Sequence, residues 1–232
     1  MATHRAFTLI EVLVVIAVIA LLVTILVPSL SKAREMARAT VCRANMRNMA
    51  VATLMYVEDQ ALYLPSVGLS HGSHQLDEQG SWLRLLQRYS GTDLLYRCPS
   101  DRSPYFDVPE PVSQRLRKLS YGTNYYVSGE MTGYEKYNRL SAIERPFHTI
   151  FAAELAETGE FATADHIHAG WWIMQPPADQ VAVDRHLGRA NYSLLDGRAE
   201  AFTVEETFRL APNSGPGRLI WITNKYDPTV AR

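Results

Sequence analysis

The feature that most limits what this chain can become is its N-terminal apolar run. From Val12 to Val27 every residue except Thr24 is apolar, and the flanks extend the stretch to the 22 residues Phe7–Pro28. At about 1.5 Å of rise per residue a helix of that length covers roughly 30 Å, the thickness of a bilayer's hydrocarbon core. One carboxylate, Glu11, sits at the head of the run, where an unpaired charge is costly in lipid. A secretory signal peptide explains the position of the run but not its parts. The cationic start is only His4 and Arg5, the core is long, and Pro28-Ser29-Leu30-Ser31-Lys32 offers no small-residue cleavage site. A plain membrane anchor explains the length and leaves Glu11 without a role. Charge bias does not support it either. Lys32, Arg34, Arg38, Arg43 and Arg47 lie beyond the span, which opposes export of the C-terminal part.

The stretch Ala6-Phe7-Thr8-Leu9-Ile10-Glu11 resembles the prepilin processing site of the type IV pilin and type II secretion pseudopilin superfamily. The resemblance implies cleavage between Ala6 and Phe7 by a prepilin peptidase, with methylation of the new Phe7 amine. The residue before the cut is usually Gly in that family; here it is Ala6, which keeps a small side chain. Glu11 then stands fifth after the cut, and Pro28 twenty-second, where pilin helices often carry a proline. A carboxylate at this depth can be offset by the Phe7 amine of a neighbouring subunit, and one such pair per subunit would set the register between helices. Phe7, Glu11 and Pro28 are therefore the expected assembly residues.

Residues 29–58 lack Gly and Pro and favour helix formers, so one helix is expected from about Thr8 to Glu58, bent at Pro28. Leu30, Ala33, Ala37, Val41 and Ala44 recur at helical spacing as its packing face, with Met49, Thr53 and Tyr56 continuing it. The arginines of this half read as a solvated face, or as contacts to acidic lipid headgroups or neighbouring subunits.

Beyond Pro65 the helical period disappears. A short helix is expected over 81–90. Strands are expected over 120–129, 149–155, 170–174, 189–195, 198–204 and 218–224, with Asp196-Gly197 as a two-residue hairpin turn. The fold class is therefore α+β: a long N-terminal helix, its first half transmembrane, packed on an antiparallel head. The expected division is a leader over 1–6, a transmembrane half over 7–28, an amphipathic half over 29–58 and a head over 59–232.

His186, nine residues, then Asp196-Gly197 resembles the H-x9-DG signature of a bacterial subfamily of prepilin-like proteins, as do the segments around Cys42, "RCPSD" at 97–101 and "SYGTNYY". The resemblance carries architecture and processing more than activity. It places Cys42 and Cys98 where a clip between helix and head is expected. On their own, two cysteines fit one disulfide in an oxidising compartment or two buried thiols.

Chemistry is thinly signalled. The chain is 47% hydrophobic and 20% charged with a net charge of −1, which gives no electrostatic case for nucleic acid. His71 with His74 and His166 with His168 read as solvated loop histidines. His186 and Asp196 read as an anchor and a turn residue rather than an acid–base pair. Asp101, Asp107 and Asp196 are conceivable calcium donors without a readable ligand loop. No catalytic residue, cofactor or metal-ligand set is assigned, and the chain is not expected to be an enzyme. The expected role is a structural subunit of a type II secretion-type pseudopilus or a type IV pilus. Its partners would be prepilin peptidase, other pilin-like subunits, the assembly machinery and membrane lipid. It would sit as a single-pass inner-membrane protein with its head in the periplasm or at the cell surface. A membrane-tethered periplasmic binding or metal-binding module is the alternative.

Overall fold

The computed structural model describes residues 8–67, 82–90, 97–214 and 220–231. Helix α1 runs Leu9–Asp59 without a break. It starts on a reciprocal cap. The Thr8 N–H and hydroxyl donate to Glu11 Oε2 at 2.8 and 2.7 Å, and the Glu11 N–H donates to Thr8 Oγ1 at 3.3 Å. This is a Thr-x-x-Glu capping box, which satisfies backbone donors that a helix start otherwise leaves open. Pro28 lies inside the helix and has no N–H for the Thr24 carbonyl. Nearby, the Thr24 and Ser29 hydroxyls bond back to the Leu21 and Leu26 carbonyls at 2.7 and 2.8 Å. The helix stops where Ala61 and Leu62 take positive φ and the Leu62 N–H returns to the Val57 carbonyl at 2.8 Å.

The chain forms two compact units, residues 1–37 and 38–232, so the division falls within α1 and not at its end. In the first unit the described apolar side chains from Leu9 to Val27 are exposed, on a helix long and apolar enough to cross a membrane.

In the second unit, residues 38–59 belong with the head because they supply its core. Cys42, Met46, Met49, Ala52 and Val57 are each 2% exposed or less, with Asn45, Ala50 and Thr53 also buried. The expected face is therefore corrected. Leu30 and Val41 are exposed, as are Ala33, Ala37 and Ala44, whereas Met49 and Thr53 do pack inward and Tyr56 is half-buried. The buried stripe starts at Cys42, one position on from Val41, and joins the predicted face at Met49. The sequence periodicity alone could not separate the two, because small and apolar residues line both faces of this stretch.

The short helix α2 covers Trp82–Ser90. The main sheet has strand order β3-β1-β2-β4-β5, with β1 Tyr121–Asn124, β2 Ile150–Glu154, β3 His166–Ile167, β4 Ala190–Leu194 and β5 Ala199–Phe202. Four of the strands pair antiparallel in series; β1 and β3 pair parallel, so the sheet is mixed rather than purely antiparallel. β1, β2 and β4 are buried at every position, which explains why their sequences do not alternate. A four-residue helix α3, Val204–Thr207, leads into a two-stranded sheet of β6, Phe208–Leu210, and β7, Trp221–Asn224. The expected strand over 170–174 is instead the 3-10 turn Ala169–Ile173, in which Trp172 is buried against Phe208 and Tyr226.

The β4–β5 hairpin is longer than predicted. Its loop is Leu195-Asp196-Gly197: the Gly197 N–H donates to the Leu194 carbonyl at 3.1 Å, and the Leu194 N–H to the Arg198 carbonyl at 2.9 Å. This is a three-residue connection with glycine at the left-handed position, φ +89°. A Cβ at Gly197 would also meet Leu54 Cδ1 of α1 at 2.9 Å, so the turn lies directly on the helix.

Candidate functional site

The expected processing residues Ala6 and Phe7 lie outside the described residues. Glu11 is described, and both of its capping contacts use Oε2. Its local role is thus to start the helix, and the second oxygen takes no part in that cap. Pro28 sits seventeen positions further along the same helix (28 − 11 = 17).

The head holds a different constellation. Cys42 comes from α1, Cys98 from the loop before β1, Glu154 from the end of β2 and His186 from the turn before β4. All four are buried, and one donor atom from each lies within 4.8 Å of all the others. The Cys42 thiol donates to Glu154 Oε1 at 2.6 Å, and His186 Nε2 is 2.9 Å from the same oxygen and 3.5 Å from Cys98 Sγ. Around this centre, the Asn191 N–H donates to Glu154 Oε2 at 2.7 Å, the Ser100 N–H points at Cys98 Sγ at 3.4 Å, and the Tyr121 hydroxyl is 3.1 Å from Cys42 Sγ.

The cysteines are free thiols. The two segments that the expected clip would join meet here, with Cys42 and Cys98 in side-chain contact. Electrostatics differ sharply within the group. Burial, together with its contact to Cys98, pushes the Cys42 thiol well up. Contact with Cys42 and then with His186 lowers the Cys98 thiol against its burial. Burial raises Glu154, but His186, Arg185 and Cys42 outweigh it and hold the carboxyl below its usual range.

The nine-residue spacing from His186 to Asp196 acquires a physical meaning. The spacer is strand β4 with its two short flanks. At one end His186 is fixed by a left-handed pair, Leu187 and Gly188 at φ +58° and +85°, and its N–H donates to the Arg189 carbonyl at 2.9 Å. At the other end Asp196 accepts from the Arg198 N–H and Nε at 3.1 and 2.6 Å and shapes the hairpin. His186 and Asp196 thus mark opposite ends of one strand, and the histidine's carboxylate partner is Glu154. Glu154 carried no signal in the sequence beyond being a charged residue in an otherwise apolar run, "TIFAAEL".

A further expectation changes. His166 and His168 are buried rather than solvated. Asp165 Oδ1 lies 2.7 Å from His166 Nδ1, the two Nε2 atoms are 3.0 Å apart, and the His168 ring stacks on Trp171 at 4.2 Å. His71 and His74 lie outside the described residues. Of the aspartates considered for calcium, Asp101 is buried between Arg117 at 2.6 Å and Arg185 at 3.4 Å, and Asp196 holds Arg198. The guanidinium contacts use one oxygen of each, Oδ2, and Asp107 is exposed.

Comparison with known families gives two matches. Residues 1–27 match the prokaryotic N-terminal methylation motif. Residues 31–89 match a family described as a protein of unknown function (DUF1559), a match that includes Cys42 and ends before Cys98 and the His186–Gly197 segment. No curated protein and no solved structure matches the chain. These two matches, set on a long apolar N-terminal helix and an α+β head, are consistent with a prepilin-like chain of the type IV pilin and pseudopilin superfamily.

Proposed function

We propose that this protein is a structural subunit of a type II secretion-type pseudopilus or type IV pilus. Prepilin peptidase cuts it between Ala6 and Phe7 and methylates Phe7. The apolar part of α1 then anchors it as a single-pass inner-membrane protein with the head outside the cytoplasm. The observation that carries this reading is the methylation motif over residues 1–27, set at the start of one unbroken apolar helix. The geometry at Glu11 supports it further. Oε2 caps its own helix through Thr8, leaving Oε1 to face the Phe7 amine of a neighbouring subunit.

Glu11→Gln separates the two jobs. Gln can still close a capping box but carries no charge for an amine. The expected result is normal membrane insertion and cleavage with loss of co-assembly, measured by crosslinking between subunits in membranes. Unchanged crosslinking would overturn the filament role.

A further inference from the structure

We propose that Cys42, Cys98, Glu154 and His186 bind one zinc-class divalent transition-metal ion that staples α1 to the sheet. The proposal is independent of the filament reading, since it concerns only the head and the half of α1 built into it.

Four observations support it. The donor types are two thiols, an imidazole and a carboxylate, the borderline set that zinc and its neighbours favour and that calcium and magnesium do not. The donors converge. With metal bonds of about 2.0–2.3 Å, a tetrahedral ion holds its donor atoms roughly 3.3–3.8 Å apart. The separations here run from 2.6 Å to no more than 4.8 Å, so small side-chain shifts place one ion among all four. The surroundings orient the donors as outer partners do in metal sites. The Asn191 N–H holds Glu154 Oε2 so that Oε1 faces inward, while the Ser100 N–H and Tyr121 hydroxyl lie against the two sulfurs. Finally, the site is closed. Cys42, Cys98 and Glu154 are 0% exposed and His186 5%, in a core where four apolar side chains would avoid the desolvation cost of a titratable cluster. A closed four-ligand site is a structural one. On binding, each thiol releases its proton to water as its sulfur–metal bond forms.

The competing fate of the same sulfurs is a disulfide, which removes two of the four donors. The test uses the full-length chain, purified in detergent without chelator. Metal analysis is expected to give one equivalent of zinc. Exchange for Co2+ is expected to give the intense d–d bands of a tetrahedral site together with a thiolate-to-cobalt charge-transfer band. Cys98→Ser is expected to weaken the charge-transfer band, and His186→Gln to lower the apparent affinity for Co2+ at least about tenfold. His168→Gln, in the other histidine pair, is expected to leave both unchanged. An intact mass short of two hydrogens with no bound metal would overturn the proposal in favour of the disulfide. Free thiols that take up no Co2+ in the wild-type chain would overturn it outright, whatever the variants do.

Discussion

Burial decides most residue-level behaviour here, and His168 shows it with a sign that can be checked. Burial, aided by the neighbouring His166, pushes its imidazole down to about 3 from an ordinary value of 6.5. The folded protein therefore holds this ring neutral while the unfolded chain protonates it near 6.5. Any stability it contributes is complete above 6.5 and is lost as the pH falls from there toward 3. Thermal unfolding of the wild-type chain is expected to show a midpoint falling through that window. In His168→Phe, which keeps a ring against Trp171, the fall between pH 6.5 and 5 should be shallower. Equal slopes would show that His168 is not held neutral. The sequence could not deliver this. A histidine flanked by Ile and Ala is as compatible with a wet loop as with a core, and only the partners Tyr125, Trp171 and His166 decide.

Elements were legible where a local signal carries its own physics. The long helix, the short helix at 82–90 and most strands come from composition and periodicity, and the Asp196-Gly197 turn comes from the need for a left-handed residue. The elements that were misread needed non-local information. Trp171-Trp172 looks like strand by propensity but is drawn into a 3-10 turn so that Trp172 can pack on Phe208 and Tyr226. The first turns of the buried face of α1 also escaped, because Val41 and Met46 are both apolar on paper and the head chooses between them. That choice gives a test: Met46→Ala is expected to destabilise the protein by about 2–5 kcal/mol, as a fully buried large-to-small change does. Val41→Ala should stay within about 0.5 kcal/mol in the same denaturant titration. Comparable losses from both would mean that the helix presents a different face to the sheet.

At the scale of the whole molecule, one helix serves two units. Residues 8–37 form an exposed helical segment with a capped start, apolar over Val12–Val27 apart from Thr24, and residues 38–59 are built into the head. The first part was legible in the sequence because membrane thickness and the processing motif each impose a length and a position. The second was legible as a helix packed on the head with Cys42 and Cys98 meeting between them, but the addition of Glu154 and His186 to that pair was not, because they come from separate segments that only the fold unites. The proposed function rests on the first part: a prepilin-like substrate, cut before Phe7 and assembled through the apolar half of α1. It is tested by the mass of the N-terminal peptide of the protein recovered from membranes that contain a prepilin peptidase. A peptide that begins at Phe7 and carries one methyl group on its amine is expected. A peptide that still begins at Met1 or Ala2, or one cut beyond Pro28, would contradict that function.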